Sequence, residues 1–108
     1  MAIDTGSQLI TNARQEGGVV SADVTGDVTV MNAPDVRMAL SVLIRGQSPT
    51  KLKLNMSAVS YMDSSGLAVL VEARRAMPKE GEFVLSGMTD EVKGLMKIMN
   101  LHTLFKFE

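Results

Sequence analysis

The chain contains no cysteine and a single histidine, so no disulfide framework holds it together and neither a thiolate cluster nor a typical zinc site is available to it. An excess of either charge is also missing. With 11 basic against 12 acidic residues the formal net charge is -1, without the basic surplus that marks most nucleic-acid binders. No segment approaches the length of a membrane span, and Met1 to Thr11 has neither the basic start nor the apolar run of a signal peptide; a cytoplasmic protein with no direct membrane insertion is expected. No Gly-rich phosphate loop and no Gly-x-Ser-x-Gly elbow occur, and His102 lies far along the chain from the serines of interest, so neither an enzyme nor a cofactor is expected. What the chain does have is a hydrophobic fraction of 45% in 108 residues, enough for one small domain over residues 1–108 and too much for a disordered chain.

In chain order, Gln8–Arg14 and Val19–Val24 flank Gln15-Glu16-Gly17-Gly18, a hairpin signal. Val28-Thr29-Val30-Met31 follows the interruption Thr25-Gly26-Asp27. Asn32-Ala33-Pro34-Asp35 then reads as a helix start with a capping Asn, and Val36, Ala39, Leu40 and Leu43 recur at helical spacing until Gly46 and Pro49. Lys51, Leu52, Lys53 and Leu54 alternate like a half-buried strand, and Gly66, Val69, Leu70, Ala73 and Met77 share one side of a helix of about three turns. Glu82–Ser86 is a short strand. Thr89 can cap a helix with the stripe Val92, Leu95, Met96 and Met99, Asn100 can end it in a left-handed turn, and Leu104–Phe107 reads as a last strand. Strands alternating with helices imply an α/β fold: a mostly parallel sheet of about five strands with an antiparallel start and helices packed on it.

The densest signal lies between the central strand and helix, in Ser60-Tyr61-Met62-Asp63-Ser64-Ser65-Gly66. Asp and Ser are favoured helix N-caps, so spacing alone allows Asp63, Ser64 and Ser65 to be caps and nothing more. It also places the Ser64 hydroxyl near the positive helix end, where a phosphate finds favourable electrostatics.

Leu54-Asn55-Met56 with Ser60–Leu70 resembles the signature of STAS-domain anti-sigma factor antagonists. Val24-Thr25-Gly26-Asp27-Val28 resembles the same family's Leu-x-Gly-Glu/Asp-Leu segment, and Leu95–Leu101 its helix ending in Thr/Ser-Gly-Leu, with Asn100 in place of Gly. The resemblance implies that Ser64 is the target of a partner kinase and that the unmodified protein binds an anti-sigma factor with serine-kinase activity, while a serine phosphatase resets the modified form. Two departures matter: Thr29 stands where members often carry Asp, and many members place a final helix beyond the last strand, where none is expected here after Glu108.

Around Ser64, the residues expected at the partner surface are Asp63, Ser65, Gly66, Leu67, Met62, Met31 and Asn32. Each has a plainer reading. Ser65 can be a cap or a neighbour, Gly66 a small residue in a first turn or a point of close approach, and Leu67, Met31 and Met62 part of the core. The 9 methionines can equally fill core gaps or supply an adaptable surface. Two other function classes stay open on these residues. One is a STAS docking subunit of a membrane transport or lipid-trafficking complex; the other is a small enzyme with Ser64 as nucleophile.

Overall fold

Alternation of apolar residues builds the centre of the sheet. In the computed structural model, which describes all residues from Met1 to Glu108, β3 (Val19–Val24), β4 (Lys51–Asn55) and β5 (Glu82–Ser86) are parallel neighbours. Val20, Leu52 and Phe83 stand side by side in register, as do Ala22, Leu54 and Leu85, and all six are buried. One slip in register would turn every one of them to the opposite face. β2 (Ile10–Glu16) joins β3 as an antiparallel hairpin through Gly17 and Gly18, with Gly17 at φ 61°, a conformation that favours glycine.

The full sheet has six strands in the order β1-β2-β3-β4-β5-β6, one more than the periodicity predicts. The extra strand is β1, Ala2–Ile3, antiparallel to β2 and pinned where the Met1 amine donates to the Gln15 carbonyl. Two residues carry no readable alternation. β6 is Lys106–Phe107, shorter than the expected Leu104–Phe107, because His102–Leu104 turns as a 3-10 helix first.

Three helices, α1 (Ala33–Gln47), α2 (Ser64–Ala76) and α3 (Asp90–Ile98), supply the apolar cover of the sheet, and their inward residues join the strands in one 28-residue core. The second face of the sheet carries the row Ser21, Lys53, Val84 and Lys106 in register, with ion pairs Lys53–Glu108 and Lys106–Glu82. α1 runs through Gly46 and stops at Ser48, whose φ of 46° is left-handed, so Gly46 does not close it. α3 ends as expected. Asn100 sits at φ 56°, its N–H donating to Lys97 O and that of Leu101 to Met96 O, the paired bonds of a Schellman cap. No helix is long and apolar enough to cross a membrane. Because β3 and β4 run parallel, the loops that follow them leave from the same end of the sheet, where the chain's densest motif lies.

Candidate functional site

Two loops build the site: residues 25–32 between β3 and α1, and residues 56–63 between β4 and α2. Each sends a carboxylate into the other. Asp27 Oδ1 accepts from Ser60 N–H at 2.9 Å, from the Ser60 hydroxyl at 3.0 Å and from Tyr61 N–H at 3.0 Å. Asp63 reaches back, its Oδ2 accepting from Val30 N–H at 2.9 Å while Oδ1 accepts from Gly66 N–H at 3.0 Å. The backbones join as well, with Val28 bridging Met62 in parallel pairing. These bonds stabilise the ionised carboxylates. The Ser60 N–H, then the Ser60 hydroxyl and Tyr61 N–H, hold Asp27 below the usual carboxylate range; the Gly66 and Val30 N–H groups do the same for Asp63.

Gly66 is where the loops close on the helix. A Cβ there would lie 2.5 Å from the Val28 carbonyl oxygen, so only glycine admits this approach. Of its possible roles, the structure selects backbone packing: Gly66 is buried and offers a partner nothing.

Asp63 is the N-cap of α2, and Ser64 and Ser65 are its first two residues. Ser64 is therefore not the cap. Its hydroxyl is exposed and bonds to no protein group, and no base is within hydrogen-bond reach of it, which removes the arrangement that a nucleophilic serine needs. His102 lies in the 3-10 turn with Nδ1 buried and unpaired. Ser65 is half-buried beside Ser64.

The other expected partner residues divide by burial. Met31 is 88% exposed, next to Val30 at 65%, and Tyr61 on the facing loop is 56% exposed. Leu67 at 0% and Met62 at 2% belong to the core, so direct contact through their side chains is ruled out. For Leu67 the cause is the helical position: it lies among the buried residues of α2 with Gly66 and Leu70. Asn32, expected as a helix cap, turns backward instead, its Oδ1 accepting from Thr29 N–H and its Nδ2 donating to Asp27 O. It braces the loop and is half-buried. Asp27, which ties the two loops together, was not among the expected site residues; its signal in the sequence was its place after Gly26 in the family-like segment Val24–Val28.

The chain is similar to known proteins in sequence and in fold. The STAS domain family model matches residues 11–108. An anti-sigma-B factor antagonist from Listeria monocytogenes is 33% identical over 86 residues, 79% of this chain and 75% of its own length. An anti-sigma factor antagonist from Mycobacterium paratuberculosis has the same fold, with a TM-score of 0.79 at 23% identity over 99% of this chain and 89% of that one. SpoIIAA, an anti-sigma factor antagonist, superposes in its unphosphorylated form with a TM-score of 0.69 at 16% identity, covering 92% of this chain and 86% of its own. Its phosphorylated form from Bacillus gives 0.67 at 17%, covering 92% and 90%. With a family match over residues 11–108 and a relative 33% identical over most of both chains, this chain belongs to the STAS domain family.

Proposed function

We propose that this protein is an anti-sigma factor antagonist, a binding module rather than an enzyme, switched by phosphorylation of Ser64. It acts in the cytoplasm. In the unmodified form it sequesters an anti-sigma factor that is also a serine kinase; that kinase modifies Ser64, and a serine phosphatase restores the binding form. The observation that carries the reading is the division of labour at the start of α2. Asp63 does the capping, which leaves the Ser64 hydroxyl exposed and unbonded, with no structural duty to explain it. A phosphate there adds about -1.5 to -2 charges at the edge of a surface that includes the exposed Val30, Met31 and Tyr61. The relatives' names favour this reading over a docking subunit of a membrane complex.

The test is site-mapping mass spectrometry of the protein isolated from its native cells, with affinity capture by the wild type and by Ser64→Ala and Ser64→Asp variants. Expected are one phosphate on Ser64, absent from Ser64→Ala, and an ATP-binding partner captured by Ser64→Ala but not by Ser64→Asp. A chain unmodified under every growth condition, with equal capture by both variants, would overturn the proposal.

A further inference from the structure

A groove leads away from Ser64 along the outer side of α2. Ser64, Ala68, Val71 and Arg75 recur at intervals of four, three and four residues and form one stripe of the helix, and Met99 and Leu101, just beyond α3, make the opposite wall. The stripe is three turns long, about 16 Å at the rise of an α-helix. Its middle is apolar and reachable, with Ala68 exposed, Val71 half-buried and Met99 43% exposed. Its far end is cationic. Glu72 also lines the groove, but its carboxylate is already engaged by Arg37 at 2.9 Å, whereas Arg75 is exposed and makes no ion pair; Arg74 is spent on the carbonyls of Pro78, Lys79, Gly81 and Leu104.

Resting on the function proposed above, we infer that this groove is the docking site for an amphipathic helical segment of the protein partner, about three turns long, whose apolar side chains seat on Ala68, Val71 and Met99 and whose carboxylate meets Arg75. Charge complementarity selects the acid, because Arg75 is the groove's unanswered cation. The walls select the helix. Both are helical or turn segments, so an extended occupant would find no strand edge to pair with, while a helix satisfies its own backbone. The placement also gives Ser64 its leverage. A phosphate at the near end adds negative charge to a groove that takes an acidic segment, and it occupies space at the entrance.

The experiment places a photocrosslinking amino acid at exposed Ala68, and in a second variant at Met31, in native cells carrying either Ser64 or Ser64→Asp. The crosslinked partner peptide is then sequenced. The inference expects an Ala68 crosslink that is lost in Ser64→Asp, to a segment with apolar residues at helical spacing and an Asp or Glu. Arg75→Glu should reduce that crosslink about tenfold, and Lys in place of the partner's acid should restore it. Ser64-dependent crosslinking from Met31 with none from Ala68 overturns the groove and leaves the switch standing. A segment without the acid, an Arg75→Glu variant that crosslinks normally, or an Ala68 crosslink to a second copy of this chain also overturns it. Crosslinks that ignore Ser64 at both positions sink the switch itself, and none from either position sinks both.

Discussion

Replacing Gly66 by alanine puts a methyl group against the Val28 carbonyl, and neither backbone can withdraw without breaking the Val28–Met62 bridge. Overpacking of this kind costs about 1–3 kcal/mol, to be measured by urea unfolding followed by circular dichroism. An alanine variant as stable as the wild type would mean that the loops yield freely. Asp27 and Asp63 make a second prediction, in pH. Both have folded-state pKa values depressed below the unfolded value, so their stabilisation is fully present above about pH 4 and is lost as pH falls through the lower folded values. The stability advantage of the wild type over Asp27→Asn should therefore be largest at neutral pH and shrink below about pH 4. An advantage that stayed constant to pH 2.5 would assign the effect to shape instead of charge. Residues at this scale were unevenly legible. Asp63 announces itself by standing before a helical stripe, but Asp27 bonds to Ser60 and Tyr61 across 33 and 34 positions of sequence, and no local pattern encodes that.

Among the elements, those with a long period were readable and those ended by a single backbone angle were less so. α1 shows the difference: Val36, Ala39, Leu40 and Leu43 fix its inward face, yet its stop is the left-handed Ser48 and not the nearby Gly46. Serine carries little signal for that conformation, whereas Asn100 at the end of α3 carries more and was placed correctly. Both ends hold an L-residue where glycine fits without strain. Ser48→Gly should therefore raise stability by up to about 1 kcal/mol, and Asn100→Gly by less, since Asn tolerates the left-handed region better. Thermal unfolding of the two variants checks the order; a loss at Ser48 would show that the serine side chain matters more than the angle. Thr89, whose hydroxyl accepts from Val92 N–H at 3.3 Å, is the opposite kind of terminus, with a side-chain cap that alanine would remove at a cost of about 1 kcal/mol.

At the scale of the whole molecule, the atoms that hold the fold are not those of the proposed switch. The core gathers strands β2 to β5 and the inward faces of the helices, while the second sheet face is held by exposed ion pairs of the kind that contribute little. Ser64 belongs to neither set, since its hydroxyl is exposed and unbonded at the start of α2. A negative charge at that position faces the positive end of the helix, which is favourable, and also faces Asp63, which is not. The two effects nearly offset, so Ser64→Asp should unfold at a free energy between that of the wild type and about 1 kcal/mol above it, with its circular dichroism spectrum unchanged. Partner capture should nevertheless be lost. Equilibrium unfolding and capture measured on the same preparation decide the matter: lost capture with retained stability locates the switch at the surface, whereas a variant that loses both has been unfolded by its charge and says nothing for a switch that acts through binding.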